Sequence, residues 1–422
     1  MRESIRERRS REIRTARVNR RPAGLGATLM AFTIVFALAW VFFIRQPPQA
    51  PTPSIKAVAG TYEWRPGGRP ADENGTFGAV ASGNAGGRAE TPKGTTVVSS
   101  RPPESAYDAG GRSETTLRGG GPFPSATRTV GAWPPVWRVA THSPLDYQGL
   151  AAVVRTAVED GDHTVGYKPL KDGDRDVWRA AMTIDRTDIE VVVDQLSGLV
   201  LWYTDGHSTF TANVDWVSPP PVDESYAVDL PAGTKVETTT DHQYAYAQSP
   251  AAAGRTAGYD PLFSDLAPDG YVMKAVATTR TPGAPVGWLR PPISLPADVA
   301  PKARQIAMLY TRGLNWFTVE QAGPEIAGPW AQTGSGLKPS GLGALSLQET
   351  TLQYGALAGR SAYTWYTEQG PALVTGDARH IVYITGALTR QELIDFANGL
   401  KPVVSGATTG GGSPSPSTAP SP

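Results

Sequence analysis

Residues 176–204 read DVWRAAMTIDRTDIEVVVDQLSGLVLWYT, and this stretch decides the fold class. Three runs rich in Val, Ile, Trp and Tyr, at residues 176–184, 188–194 and 199–204, have the composition of β-strands. The loop Gln195–Gly198 joins the second run to the third, and its glycine can supply the positive φ that a hairpin turn needs. The stretch therefore predicts an antiparallel meander.

The meander extends to both sides of this stretch. Strand patterns also cover residues 163–167 and 209–216. A helix precedes them, with Ser143 as its cap and Pro144 at its first position. Its apolar residues recur at helical spacing: Leu150, Val153, Val154, Ala157 and Val158. We therefore predict a β-rich lobe over residues 130–231 with one packed helix.

A second lobe is predicted over residues 232–402. Its strand patterns cover residues 271–279, 305–310, 315–321, 361–369, 371–376 and 380–386. Thr389 and Glu392 have the spacing of a capping box, which starts a closing helix. Residues 323–343 read as a loop broken by Gly and Pro. The predicted fold class is α+β, with two antiparallel β-rich lobes that each carry a packed helix.

The amino-terminal region predicts a membrane anchor. Residues 23–44 read AGLGATLMAFTIVFALAWVFFI without a charged side chain, and as a helix they would reach roughly 33 Å, enough to cross a bilayer core. Residues 1–22 form an arginine-rich tail, which is typical of the cytoplasmic side. We expect a single-pass protein of the cell membrane with a cytoplasmic amino terminus and an extracytoplasmic bulk. A cleaved signal peptide and a buried soluble helix are the alternatives.

The region after the anchor is rich in Pro and Gly. Eleven Pro and fourteen Gly fall among residues 46–129, and few of the others are apolar. Such a composition offers little to bury against the entropy of ordering the chain. The expectation is therefore a disordered linker over residues 45–129. The low-complexity end, residues 403–422, is expected to be a disordered tail.

Composition excludes several classes of chemistry. The chain has no cysteine, which rules out disulfides, thiolate zinc sites and cysteine nucleophiles. Its five histidines, His142, His163, His207, His242 and His380, are scattered without a metal-binding motif. Basic residues concentrate in the short tail beside the predicted anchor, so nucleic acid is not an expected partner.

Two short motifs resemble known sites and then depart from them. Asp172–Asp176 has the alternating carboxylates of a calcium loop, but the positions that need Gly and Glu carry Val177 and Thr183, so we interpret it as a polar hairpin turn. Ser335 and Lys338 have a serine–lysine spacing found in penicillin-interacting enzymes, but Gly and Pro surround them. We therefore predict no catalytic, cofactor-binding or metal residues, no cofactor and no enzyme activity.

Tryptophans are the most distinctive side chains of the predicted strands. Those expected in strands are Trp178, Trp202, Trp216, Trp316 and Trp365. Aromatic residues on a half-buried sheet usually belong to the core. The alternative is an apolar cavity or groove that holds a lipid or an acylated partner.

Four motifs, taken in order, resemble the periplasmic regulators of the sigma-E type (the RseB/MucB family). These are the hairpin VDQLSGLVL at 193–201, the turn LAPDGY at 266–271, the hairpin YTRGLNWFTV at 310–319 and the strand IVYITG at 381–386. The resemblance covers about residues 133–402. It implies a lipoprotein-carrier-like barrel in the first lobe, and an extracytoplasmic module that binds a lipid-like ligand or a membrane-protein partner without chemistry.

The functional expectation follows from the anchor, the missing catalytic signature and this resemblance. We predict a non-enzymatic sensor, regulatory or binding protein of the cell envelope, with a protein or lipid partner. One alternative is a structural component of an envelope secretion or division assembly. The other is a cell-envelope hydrolase, for which Asp185, Asp188 and Asp194 are the candidate carboxylates.

Overall fold

The computed structural model describes eleven segments of the chain. They are residues 55–67, 73–81, 85–92, 94–101, 111–118, 125–132, 143–217, 230–240, 244–279, 304–332 and 345–403. These residues form one unit, except for Val158–Gly161 at the end of a helix, which group separately. The strands build a twelve-stranded sheet, an eight-stranded sheet and a two-stranded sheet. The mixed, strand-rich α+β character predicted from the sequence is confirmed.

The first sheet contains twelve strands. They are β1 (Ala57–Arg65), β2 (Glu73–Val80), β3 (Ala85–Thr91), β4 (Gly94–Arg101), β5 (Gly111–Arg118), β6 (Ser125–Ala132), β7 (Gly166–Asp172), β8 (Arg175–Ile184), β9 (Thr187–Asp194), β10 (Val200–Thr204), β11 (Thr209–Val217) and β12 (Lys235–Thr240). Their spatial order is β12-β6-β5-β4-β3-β2-β1-β11-β10-β9-β8-β7. Two meanders thus join where β1 pairs with β11, in a register that sets Val58 opposite Val217.

The predicted meander is confirmed in β8, β9 and β10. β8 and β9 pair antiparallel, and Ile184 lies opposite Thr187 next to the tight turn that joins the two strands. In β8 alternate residues from Trp178 to Ile184 are buried, as expected of a sheet with one face on a core. At the other end of β9, Gly198 closes the loop to β10 with a φ of 66°.

The helix α1 (Gln148–Asp160) lies between the two meanders in sequence. A 3₁₀ turn, Pro144–Tyr147, leads into it, and the Asp146 carboxylate accepts a hydrogen bond from the Ser143 amide. Ser143 and Pro144 thus begin a 3₁₀ turn, and the α-helix itself begins at Gln148, later than predicted. Gly161 follows the helix with a φ of 64°, a conformation typical of a helix end.

Six strands, β1 to β6, occupy the region in which the sequence predicts a disordered linker. The prediction is wrong for these residues, because a ladder of backbone pairs joins each strand to the next. The apolar contacts of these strands come from buried Val58, Tyr62 and Phe77. Averaging the composition over the whole region does not show these residues. Glycine also has a packing role here: a Cβ on Gly60 would lie 2.1 Å from the Asn213 carbonyl oxygen.

The second sheet contains eight strands. They are β13 (Tyr244–Ala247), β15 (Val272–Thr279), β16 (Gln305–Arg312), β17 (Asn315–Ala322), β18 (Leu345–Thr351), β19 (Ser361–Thr367), β20 (Gly370–Gly376) and β21 (Ile381–Gly386), in the spatial order β13-β15-β16-β17-β21-β20-β19-β18. Every residue of β17 is buried, so both faces of the sheet are covered at its centre. A short pair of β14 (Leu262–Phe263) and β22 (Lys401–Pro402) forms the third sheet.

The helix α4 (Arg390–Asn398) packs on one face of the second sheet. Its predicted capping box is confirmed, because Thr389 accepts a hydrogen bond from the Glu392 amide and Glu392 accepts one from the Thr389 amide. Phe396 then lies edge-on to Tyr310 and Phe317, which stack with their ring centroids 4.7 Å apart. This aromatic cluster forms the centre of the core under α4.

Three details differ from the predicted lobes. The expected loop over 323–343 contains a helix, α3 (Pro324–Gln332), whose Pro occupies a first-turn position that needs no amide donor. A helix α2 (Pro250–Ala257) begins at the Ser249 cap. Strand β12 falls in the predicted second lobe but pairs with β6 of the first sheet, and this pair is parallel. The first sheet is therefore not purely antiparallel.

The predicted membrane span 23–44, the tail 1–22 and residues 404–422 lie outside the described residues. Among the helices that the structure does describe, none is long and apolar enough to span a bilayer.

Candidate functional site

An open pocket lies where α1 meets strands of both large sheets. Its empty volume is about 350 Å³, which includes the solvent at its mouth. The lining residues are Gln148, Ala151, Ala152, Arg155, Trp178, Val193, Gln195, Gly198, Asn315 and Ala387. Small apolar side chains thus make much of the wall, and a few polar groups converge on it, which is the composition of a ligand pocket.

One face of α1 forms a wall of the pocket. Its four lining residues, from Gln148 to Arg155, recur at helical spacing and therefore share a face. Gln148 anchors this face by donating a hydrogen bond from Nε2 to the Leu314 carbonyl, at 2.9 Å. Gly149 allows close packing, since a Cβ there would lie 2.0 Å from the carbonyl oxygen of Gln369. The helix is thus fixed tightly against the second sheet.

The hairpin between β9 and β10 forms a second wall. Its loop is ordered by Asp194, whose carboxylate accepts hydrogen bonds from the amide and hydroxyl of Ser197. Gln195 donates from Nε2 to the Val177 carbonyl at 3.2 Å. Leu196, between two pocket residues in sequence, is 80% exposed.

A charged network lies behind the pocket. Arg155 Nη2 lies 3.2 Å from Glu392 Oε2, and Arg312 Nη1 lies 4.0 Å from Glu392 Oε1. The Arg312 guanidinium also covers the ring of Tyr271, 4.4 Å from its centroid. Burial raises the pKa of Tyr271 to about 12, so its hydroxyl stays protonated and donates to the Ala387 carbonyl at 2.8 Å. Two guanidinium groups thus share one carboxylate.

Two polar atoms of the pocket residues are buried without a hydrogen bond. Within the described residues neither Arg155 Nε nor Gln148 Oε1 has a partner. A buried donor or acceptor that is left unsatisfied costs about 1–3 kcal/mol. The pocket residues therefore carry one donor and one acceptor that no described residue satisfies.

A second polar network joins α1's end region to the second sheet through Asp162. Its carboxylate accepts hydrogen bonds from Ser346, Thr164 and Tyr366 and lies 3.5 Å from Arg390 Nη2. Burial alone would raise the pKa of Asp162, but these hydrogen bonds outweigh it and lower the pKa to about 2. The Asp162 carboxylate is therefore satisfied by groups of the chain and has a structural role.

The structure does not bring the three candidate carboxylates of a hydrolase together. Asp185 and Asp188 lie at the β8–β9 turn, where Asp188 accepts a hydrogen bond from Thr183. Asp194 lies at the opposite end of β9, and six residues of a strand span about 20 Å. It is buried in the loop that it orders. Asp194 therefore lies too far from Asp185 and Asp188 to act with either of them.

The strand tryptophans do not share one cavity. Trp178 lines the pocket, whereas Trp316 and Trp365 pack in separate apolar clusters on the second sheet. Trp202 is half-buried, with Arg179 over its ring at 5.9 Å. The side chain of Trp216 lies outside the described residues. The core interpretation therefore holds for Trp316 and Trp365.

The remaining motif residues form no site among the described residues. Asp172 and Arg175 pair in a tight turn between β7 and β8, which confirms the polar hairpin interpretation. Of the histidines, His163 and His207 are exposed and His380 bonds to the loop carbonyl of Asp260. No group of three or more His, Asp and Glu side chains in the described segments could hold a metal ion. Ser335, Lys338, His142 and His242 lie outside them.

The site residues Gln148 and Arg155 were absent from the sequence prediction. A signal was available for Arg155, because it is the one charged residue inside the apolar run LAAVVRTAV of α1. Its partner Glu392 was recognised only as a helix cap. Their separation of 237 positions in the sequence explains why no local pattern links the two.

No protein-family model and no curated protein sequence matches this chain. Among solved structures, MucB in complex with the periplasmic part of MucA is 12% identical. The match covers 86% of this chain and 98% of the MucB chain, with a TM-score of 0.24. A chain of the Pseudomonas aeruginosa MucA/MucB complex is 13% identical, and the match covers 87% of this chain and 99% of that chain, with a TM-score of 0.22. A DUF1329 family protein from Desulfovibrio piger is 10% identical, and the match covers 43% of this chain and 91% of that protein, with a TM-score of 0.20. Similarities with TM-scores this low carry no argument about function, so the function is argued from the residues of the pocket.

Proposed function

We propose that this chain is a membrane-anchored binding or regulatory protein of the cell envelope, which binds a protein or lipid partner and performs no chemistry on it. The pocket of α1 carries the proposal, because apolar walls adjoin buried polar atoms that lack a partner among the described residues. That combination suits recognition of a ligand.

Sequence features support the cellular placement. Residues 23–44 have the length and composition of a membrane span, and the arginine-rich residues 1–22 favour a cytoplasmic amino terminus. The four ordered motifs that resemble the RseB/MucB family favour an extracytoplasmic binding module. The folded sheets would then face a partner outside the cytoplasm.

Site-specific photo-cross-linking in living cells tests the proposal. A photoreactive amino acid is placed at exposed Leu196, beside the pocket, and at exposed Tyr354 as a control far along the chain. Cross-linked proteins and co-purified lipids are identified by mass spectrometry. We expect one recurrent partner at Leu196 and not at Tyr354. If neither a protein nor a lipid is recovered from the Leu196 position, the proposal is wrong.

A further inference from the structure

We infer that the α1 pocket binds the carboxylate side chain of an extended peptide segment of the partner. This inference rests on the proposed function and narrows its partner from a protein or a lipid to an acidic peptide. The residues that carry it are Arg155, Gln148 and the exposed Leu196 at the loop beside the pocket.

Charge favours an anionic ligand. Arg155 and Arg312 face a single carboxylate, Glu392, so the network holds an excess of one positive charge. Arg155 uses Nη2 for Glu392, and its Nε has no hydrogen-bond partner among the described residues. A guanidinium binds carboxylates through paired N–H groups, and it does so most strongly where water is excluded. Arg155 is therefore suited to a second carboxylate.

Gln148 favours a peptide over a fatty acid. Its Nε2 is already used by the Leu314 carbonyl, whereas its buried Oε1 has no hydrogen-bond partner among the described residues. Oε1 is an acceptor, so it needs an N–H or O–H group of the ligand. An ionised carboxylate on an acyl chain has no such group, but the backbone of a peptide supplies amide N–H donors beside each side chain.

The size of the pocket also favours a side chain. The volume of about 350 Å³ includes open solvent, and the space open to the centre of a water-sized molecule is about 20 Å³, far below the about 300–1,000 Å³ of pockets that hold a whole small molecule. A space this small, walled by Ala151, Ala152 and Val193, admits the end of one side chain and not a long acyl chain. Leu196 lies beside this space and can contact an apolar residue next to the acidic one.

Peptide titrations of the whole chain in detergent test the inference. The probe is the acetylated and amidated tetrapeptide Ala-Glu-Leu-Ala, and Ala-Gln-Leu-Ala is its neutral isostere. Binding is followed by tryptophan fluorescence, since Trp178 lines the pocket. We expect a Kd of about 1 mM or below for the Glu peptide. The Gln peptide should bind at least about tenfold more weakly because it lacks the charge.

Three variants connect the binding to the pocket. Ala152→Leu fills the pocket and keeps Arg155, Arg312 and Glu392, and it should abolish binding of the Glu peptide. Arg155→Lys keeps the charge but loses the planar fork, and it should weaken binding about tenfold. Arg179→Lys is the control, because Arg179 is an exposed arginine of β8 paired with Glu190. The affinity of this variant for the Glu peptide should match that of the parent chain.

Several results would overturn the inference. They are equal affinities for the Glu and Gln peptides, no binding of the Glu peptide at about tenfold the expected Kd, and unchanged binding by Ala152→Leu. A lipid cross-linked at Leu196 would also overturn it. If a protein partner is cross-linked there while the peptides fail, the pocket inference is wrong and the proposed function stands. Selective peptide binding without any partner in cells supports the pocket and refutes the function.

Discussion

Replacing Glu392 with Gln removes the carboxylate that two buried arginines share. The Glu392 side chain accepts hydrogen bonds from the Thr389 amide at 2.7 Å and from Arg155 Nη2 at 3.2 Å. Glutamine can still serve the Thr389 capping box, because an amide oxygen accepts the same backbone hydrogen bond. Glu392→Gln therefore removes the charge and keeps the cap.

The size of the effect follows from burial. The side chains of Arg155 and Arg312 are 7% and 8% exposed, whereas that of Glu392 is 24% exposed. Removing one member of a buried ion pair typically costs about 3–5 kcal/mol, because the other charge stays buried without compensation. Since water reaches Glu392, we expect the lower end, a loss of about 3 kcal/mol of unfolding free energy. Glu392→Ala also loses the cap and should cost about 1 kcal/mol more.

Urea unfolding of the whole chain in a mild detergent, followed by tryptophan fluorescence, measures these losses. Asp395→Asn is the matched control on the same helix, because among the described contacts the side chain of Asp395 bonds only to the exposed Gln391 side chain, at 2.8 Å. It should change stability by less than about 0.5 kcal/mol. If Glu392→Gln is as stable as the parent while Glu392→Ala is not, the cap accounts for the whole effect and the electrostatic reasoning is refuted.

Three further predictions use the same unfolding measurement. Burial raises the pKa of Glu320 well above 4.5, so the unfolding free energy should fall as the pH rises above 4.5. Glu320→Gln should remove that fall and raise the unfolding free energy by about 1–3 kcal/mol at high pH. The pKa of Asp162 is lowered to about 2, so its contribution to the unfolding free energy is present above pH 3.8 and is lost as the pH falls toward 2. Asp162→Asn should reduce this loss of stability at acid pH. Gly149→Ala should cost at least about 1–3 kcal/mol, because its Cβ would overlap backbone atoms, whereas Gly166→Ala meets only one atom at 3.7 Å and should not.

Local features of this fold were predictable from the sequence. The β9–β10 hairpin and the capping box of α4 each depend on residues a few positions apart, so their patterns are complete within one short stretch. The alternation of buried residues in β8 is equally local. Such elements are stabilised by neighbours in the chain, and their bounds matched to within a few residues.

Long-range features were not predictable. The strands β1 to β6 contain much Gly and Thr, and their order depends on pairing across the sheet, as between Val58 and Val217. A composition average treats Gly60 as a sign of disorder, although it allows two strands to approach closely. The pocket has the same origin, because Arg155 meets Glu392 only through tertiary packing.

The buried arginines give the pocket a link between binding and stability. A buried ionic network is seldom a net source of stability, since apolar replacements often stabilise a fold equally well or better. Here it also leaves Arg155 Nε and Gln148 Oε1 without partners among the described residues, at a cost that a ligand can recover. A ligand that binds only the folded chain raises the unfolding free energy by about 1.4 kcal/mol at tenfold its Kd. The Glu peptide should therefore raise the urea midpoint of the parent chain and leave that of Ala152→Leu unchanged; an equal rise in both would show that the peptide binds elsewhere.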